Sequence, residues 1–355
     1  MSAASVAGMV SFEPDAIRAA IGFEDLIEPV ARAFADYSRK LGESPVSVFA
    51  PAGPEGDVHV KSAWLPGSPV FVVKVGSWFA GHGASGVIMA FDARTGEPVA
   101  LLRDGHHLSD VRTAAAGALA TRLLAREDSS TVGVLGTGVQ AYLQVLAAAA
   151  ERPVASVRIW GRNAEAARRV AAALRRRLDG VDVLVVPTAR DAVVGVDVLI
   201  TATAATQPLV EADWLAPGTH VTSMGADDAG KVELAPAVVA RADLVVVDSR
   251  ELTALYGDLA YAHRAGVRPK AEPIELGELV AGLTSGRSAD EQITVCKLIG
   301  LGVQDLAAAN VTLERLADGL GGLGGLGGTG GLAGTDGSAP AAGRQPAGAP
   351  DLSWR

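Results

Sequence analysis

The stretch Val132-Gly-Val-Leu-Gly-Thr-Gly-Val-Gln-Ala141 restricts the folds open to this chain more than any other segment. A short apolar run breaks into Gly136-x-Gly138-x-x-Ala141 and passes directly into an alanine-rich helical pattern. Such a turn suits a dinucleotide: one glycine makes the tight strand-to-helix turn, a second lets the backbone approach a pyrophosphate, and a small residue lets the helix lie close on the sheet. The amides of Gly136, Thr137, Gly138 and Val139, at the start of the helix, would then hold the phosphates. Glycine turns between a strand and a helix also occur with nothing bound, so the surrounding sequence has to decide.

It does so by repetition. Ser156–Trp160, Val181–Val186, Val196–Thr201, His220–Met224 and Leu244–Asp248 are short, mostly apolar runs separated by polar or helical sequence. Runs of this kind belong to strands buried on both faces of a parallel sheet. Their succession predicts an α/β, Rossmann-type doubly wound sheet over residues 121–289. At the end of the second strand an acid would accept hydrogen bonds from both ribose hydroxyls; the chain has Gly161, Arg162 and Asn163 instead. An arginine and a short polar residue suit the extra phosphate of NADP, and NAD is the alternative.

The first third of the chain is of another kind. Residues 12–41 carry a broken helical stripe, and 44–102 hold short alternating runs (57–63, 70–75, 86–91 and 99–102) that predict a curved antiparallel or mixed sheet, with a hairpin-like turn at Asp92–Gly96. A helix over 109–125 leads into the nucleotide unit. Residues 290–318 are expected to return to this α+β domain of residues 1–120 and complete it. From 319 to 355 the Gly/Ala/Pro-rich sequence has too little side chain to offset ordering entropy, which predicts a disordered tail.

A net charge of -9 and the lack of a basic block interleaved with aromatics argue against nucleic acid as a partner, and Arg175–Arg177 reads as solvated helix surface. No segment is long and apolar enough to span a membrane. The single cysteine, Cys296, and the absence of a signal-like N-terminus point to a cytoplasmic protein. No Cys/His spacing suggests a metal, so His106-His107 is expected to be exposed or locally hydrogen-bonded.

Two further motifs carry chemistry. Arg112, in Asp110-Val-Arg-Thr-Ala-Ala-Ala, begins a small-residue helix and can grip a carboxylate with paired hydrogen bonds. Gly225-Ala-Asp227-Asp228-Ala-Gly-Lys231 follows the fifth strand, at the sheet edge where open α/β folds place their sites. Asp228 is expected to be a solvated neighbour or a turn cap.

Taken with Val70–Lys74, Thr95–Ala100, Arg112–Ala116, Gly136–Ala141, Trp160–Arg162, Thr201–Thr203, Gly225–Glu233 and Gly302–Asp305, the chain resembles the ornithine cyclodeaminase/mu-crystallin family over about residues 12–318. The resemblance implies a homodimer built through the N-terminal domain and chemistry at the α-carbon of a small amino or imino acid. It implies that Lys74 and Arg112 bind the substrate carboxylate and that Asp227 is the acid/base. Gln140, Thr113 and Thr203 would position the cofactor. One departure is that residues 41–58 contain no Lys or Arg where the family's carboxylate grip has an arginine; either the site uses fewer cations or Lys61 supplies the missing one. Gly161 is a second departure, and Ser77-Trp78-Phe79 and His82 are atypical on the substrate side. The resulting expectation is an NAD(P)-dependent imine reductase or amino-acid dehydrogenase. The alternatives are a cyclodeaminase with internally recycled NAD and a nicotinamide-bound small-ligand binding protein.

Overall fold

The structure, a computed structural model, describes residues 9–51, 53 and 55–317; the tail expected over 319–355 lies outside the described residues. The N-terminal sheet contains β1 (Val10–Phe12), β2 (Val46–Phe49), β3 (Gly56–Ala63), β4 (Val70–Phe79), β5 (Gly83–Asp92) and β6 (Pro98–Leu102), ordered β1-β6-β5-β4-β3-β2. It is antiparallel except for β1, which runs parallel to β6. Alternation gives the sheet two unlike faces: Val70, Val72, Lys74 and Gly76 of β4 are buried, whereas Phe71, Val73 and Val75 are not.

The helical stripe over 12–41 resolves into α1 (Pro14–Ala20), a 3₁₀ turn at Glu24–Leu26 and α2 (Ile27–Ser38). The break falls where the Gly22 amide donates to Asp25 Oδ2 at 2.8 Å. The helix expected over 109–125 is α3 (His107–Leu124), and it begins where the Leu108 amide donates to Asp104 Oδ2 at 2.8 Å.

The second sheet is wholly parallel, built from β7 (Thr131–Leu135), β8 (Ser156–Trp160), β9 (Asp182–Val185), β10 (Val198–Thr201), β11 (His220–Ser223), β12 (Leu244–Val247), β13 (Ile274–Glu275) and β14 (Thr294–Lys297). Its order is β13-β12-β14-β11-β10-β7-β8-β9. Helices α4 (Val139–Glu151), α5 (Ala164–Arg177), α6 (Ala189–Val193), α7 (Pro236–Arg241), α8 (Arg250–Leu255), α9 (Gly257–Arg264) and α10 (Leu276–Val280) connect the strands. The chain moves outward from β7 through β8 to β9, then crosses back to lay β10 on the other side of β7. The glycine turn after β7 therefore opens at the topological switch point, where such sheets bind ligands.

One expectation is corrected. Residues 290–318 do not all return to the first domain: Thr294–Lys297 is β14, a central strand paired with both β11 and β12. All four of its residues are buried, and only α11 (Gly302–Ala317) goes back, packing on α2, α3 and β4. A four-residue run with Thr294 and Lys297 at its ends has no periodicity that separates a strand from a helix entry.

Candidate active site

A cavity of about 780 Å³ lies between the inner face of the N-terminal sheet, the first turns of α3 and the carboxyl ends of β10 and β11. Lys61, Lys74, Arg112, Thr113, Gln140, Thr203 and Asp227 all line it. Gly136, Thr137, Gly138, Val139, Arg162 and Asn163 lie beyond that lining, at the ends of β7 and β8 where the glycine turn opens.

At one end, Lys74 stands in the middle of β4, directly across from Lys61 of β3. Lys74 Nζ donates to Ser109 Oγ at 2.8 Å and to Asp305 Oδ1 at 3.0 Å. Arg112 Nε donates to the same Asp305 oxygen at 3.1 Å, and its Nη1 donates to Gln304 Oε1 at 3.2 Å. Lys61 Nζ donates to the Gly300 carbonyl at 2.8 Å. Gly300 holds φ +91, and a Cβ there would stand 2.7 Å from Arg112 Nη1, so only glycine leaves the guanidinium room.

These cations are almost fully buried, with Lys61 and Lys74 each 4% exposed. Burial, with the Arg112 and Lys74 charges adding to it, brings the Lys61 ammonium down to about 7. Lys74 is lowered chiefly by burial as well, against the pull of Asp305. Burial acts to raise the Asp305 carboxyl, but Arg112, Lys74 and Lys61 outweigh it and hold it low. One carboxylate thus answers a cluster of cations, and most of the donors on Arg112 remain unspent.

Asp227 sits in the loop after β11, a third of its side chain exposed, with Lys231 Nζ 2.8 Å from its Oδ1. Burial acts to raise this carboxyl too, but Lys231 and His59 hold it below the ordinary range. Asp228 is not merely solvated: its Oδ1 accepts from the Gly230 and Lys231 amides at 2.7 and 2.9 Å, and its Oδ2 lies 2.9 Å from Lys231 Nζ. His106 and His107 are locally bonded as expected, His106 Nδ1 to Asp110 Oδ1 at 3.2 Å and His107 Nε2 to the Ile21 carbonyl at 2.9 Å.

On the cofactor side, Gln140 Nε2 donates to the Asp110 carbonyl at 3.1 Å, tying the glycine turn to α3. The first amides of α4 meet no capping side chain from Gly138, and a Cβ built on Gly138 has nothing within 4 Å. An uncapped helix start facing open space at the switch point fits a pyrophosphate. At Gly161, where the acid is missing after β8, a Cβ would come within 2.4 Å of Thr137 Cγ2, so a larger residue there requires the Thr137 side chain to turn. Asn163 Oδ1 caps α5 by accepting from the Glu165 and Ala166 amides at 3.0 and 3.1 Å. Arg162 is exposed and has no ion pair among the described residues.

Sequence reasoning gave no role to Ser109, Glu233, Gly300, Gln304 or Asp305. Gln304 and Asp305 stood in a motif that matched the family, but nothing local showed that α11 would bring them under Arg112 from 192 and 193 residues away. Glu233 is a buried hub. Its Oε1 accepts from Thr203 N and Oγ1 at 2.7 and 2.8 Å, and its Oε2 accepts from Thr201 Oγ1 and Gly225 N at 2.8 and 2.9 Å.

Residues 14–319 match the model of the ornithine cyclodeaminase/mu-crystallin family. The chain belongs to that family. A putative dehydrogenase of Rhizobium meliloti is 41% identical over 267 residues, covering 73% of this chain and 80% of that protein. Among solved structures, the Thermococcus litoralis Δ1-pyrroline-2-carboxylate reductase in complex with NADH and L-proline superposes with a TM-score of 0.83 at 29% identity, covering 88% of this chain and 98% of that one. An archaeal alanine dehydrogenase dimer with bound NAD gives 0.81 at 28% identity, covering 88% and 97%. The family's α/β architecture, a Rossmann-like parallel sheet with a mixed second sheet, is the architecture found here. No helix among the described residues is long and apolar enough to cross a membrane.

Proposed function

We propose that this protein is an NAD(P)-dependent oxidoreductase that reduces the imine of a small α-amino acid, binding its carboxylate through Lys61, Lys74 and Arg112. One observation carries the reading: three buried cationic side chains line the cavity that also holds Asp227, Lys74 and Arg112 pairing with the one carboxylate of Asp305 and Lys61 with only the Gly300 carbonyl. Burying cations without matching anions is costly, and an arriving carboxylate relieves that cost. The names of the solved relatives, a pyrroline-carboxylate reductase and an alanine dehydrogenase, agree with a substrate of this size and charge.

The substrate carboxylate takes the free donors of Arg112 and Lys74, with Lys61 in place of the arginine that residues 41–58 lack. This fixes the α-carbon within the cavity. Asp227, kept low by Lys231 and His59, is ionised at neutral pH. It therefore accepts the N–H of an iminium and stabilises its positive charge rather than donating a proton. Hydride addition at the imine carbon is the chemistry that a bound reduced nicotinamide supplies, with the C=N electron pair passing to nitrogen. The resulting amine takes a solvent proton and faces Asp227 as ammonium. Gln140, Thr113 and Thr203 would hold the nicotinamide half, and the amides of Gly136–Val139 the pyrophosphate. Arg162 and the free amide nitrogen of Asn163 would take the 2′-phosphate of NADP, which favours NADPH over NADH.

The sheet face carrying Val60, Phe71, Val73, Val75, Val87 and Phe91 is partly exposed, and the helices pack on its opposite side. A two-fold pairing of these faces would form the homodimer. The lone, buried Cys296 suits a cytoplasmic protein.

The test is a panel of cyclic imines, and of 2-oxo acids with ammonia or methylamine, against NADPH and NADH. Stoichiometric loss of NADPH absorbance with amine formation supports the reading. Ammonia release from a diamino acid without net absorbance change would instead mean cyclodeamination, and binding without turnover a carrier protein. Arg162→Ser should raise KM for NADPH about tenfold and leave KM for NADH unchanged, an effect of roughly 1.4 kcal/mol.

A further inference from the structure

Lys231 holds no substrate in the chemistry above, yet its ammonium is the meeting point of several charges. Nζ lies 2.8 Å from Asp227 Oδ1, 2.9 Å from Asp228 Oδ2 and 3.8 Å from Asp57 Oδ2. Asp57 belongs to β3 of the other domain, where its Oδ1 is 3.5 Å from His59 Nε2. The loop bearing Asp227 is otherwise short of regular structure: residues 224–233 form neither helix nor strand, and 229 and 230 are exposed.

We propose that Lys231 is the positioning residue of Asp227: a single ammonium clasped by Asp227, Asp228 and Asp57 sets the direction of the Asp227 carboxylate and ties its loop to the substrate-side strand β3. This rests on the reading of Asp227 as the carboxylate that faces the iminium, and it adds a device to that reading. Asp228 shapes the turn with one oxygen and holds the ammonium with the other. His59, on the same strand face as Asp57, adds a further charge partner when protonated. The groups facing Asp227 are thus Lys231 from its own loop, His59 and Lys61 from β3, and Asp57 and Asp228 as competing carboxylates. The same geometry keeps Asp227 ionised, because the nearest charge to it is positive and in direct contact.

The experiment is a pH titration of the full-length protein labelled with ¹³C at aspartate carboxyls. The Asp227 resonance is identified by its loss in Asp227→Asn. Lys231→Gln should move the Asp227 midpoint up by about 1–3 pH units, the usual effect of losing an opposite charge in contact. Lys231→Arg should restore most of it. Asp228→Asn keeps the turn-capping oxygen and removes a like charge that competes for Lys231, so it should move the midpoint down. An unmoved midpoint in Lys231→Gln, or an upward or absent shift in Asp228→Asn, overturns the proposal, and the second variant decides if the first does not fold. Turnover is a separate readout: wild-type activity in Asp227→Asn would sink the role of Asp227 in stabilising the iminium whatever Lys231 does to the midpoint.

Discussion

Replacing Glu233 by glutamine tests the buried hub directly, because the change is isosteric and removes one charge. Each carboxylate oxygen accepts from a backbone amide that cannot turn away: Oε1 from Thr203 at 2.7 Å and Oε2 from Gly225 at 2.9 Å. A glutamine has one oxygen and one NH₂, so in either orientation one of those amides faces a donor. The Thr201 and Thr203 hydroxyls can rotate; the amides cannot. An unsatisfied buried donor costs about 1–3 kcal/mol, and loss of charge-assisted character in the remaining bonds adds about 1–2 kcal/mol, giving an expected destabilisation of roughly 2–5 kcal/mol. Burial pushes the Glu233 carboxyl up, Lys297 opposes this, and the Asp258 charge adds to it. Protonation would still leave one oxygen presenting a proton among donors, so the ionised form fits the bonding better. Urea denaturation at pH 7 measures the loss, with an unchanged m-value as the control for two-state unfolding. The effect should extend to function, since the same carboxylate joins Thr203 on the cofactor side to Gly225, two residues before Asp227. NADPH binding by fluorescence should weaken together with stability. A loss under about 1 kcal/mol would refute the reasoning, because the oxygens would then not be serving the amides as an anion.

Three other changes probe the cation cluster and the outer sheet. With Lys61 at about 7 in the free protein, it is charged at pH 6 and must take up a proton to pair with a carboxylate at higher pH. Affinity for a substrate-like inhibitor such as pyrrole-2-carboxylate should therefore fall as pH rises above about 7, by up to about tenfold per unit, and Lys61→Met should flatten that dependence. Asp305→Asn leaves Lys74 and Arg112 without their shared anion and should cost about 3–5 kcal/mol in the unliganded protein, while the rise in Tm on adding the carboxylate should exceed that of the wild type. Val73→Asp with Val75→Asp places charges in the proposed dimer face, and light scattering should then report half the wild-type mass with the circular dichroism spectrum retained.

What the sequence made legible follows from the range of each signal. The β7 turn could be read because its requirements lie within ten residues: Gly136, Gly138 and Ala141 each answer a local steric demand. Lys74 and Arg112 lay within motifs, and β4 and α3 bring both to the cavity. Asp305 could not be assigned a role, because its partners come from α11 folding back across the whole nucleotide unit. β14 was obscured by its own chemistry. Lys297 is fully buried 3.1 Å from Asp258, and a charged residue in a central strand hides the apolar pattern by which such strands are recognised. The missing acid at Gly161 was read as a cofactor preference, and the approach of the Thr137 side chain adds a packing constraint at the same position. The NADP argument rests on Arg162 and the Asn163 amide nitrogen beside it.

The arrangement of charges also explains why the chain must leave the first domain and come back. Lys61 and Lys74 face each other on adjacent strands, a pairing that costs free energy in any sheet unless an anion lies between the side chains. Nothing in β3 or β4 supplies one at that position. The carboxylate comes instead from α11, which follows β14 in the chain, and the last residue of β14 lies three residues before the Gly300 carbonyl that receives Lys61. The carboxylate-binding wall is thus continuous along the chain with the central strand of the nucleotide-binding sheet. Substrate anion and Asp305 then act on one set of cations, so a bound carboxylate should stabilise both domains together. In calorimetry this predicts one cooperative transition that moves as a unit on addition of ligand; a separately melting first domain would contradict the coupling.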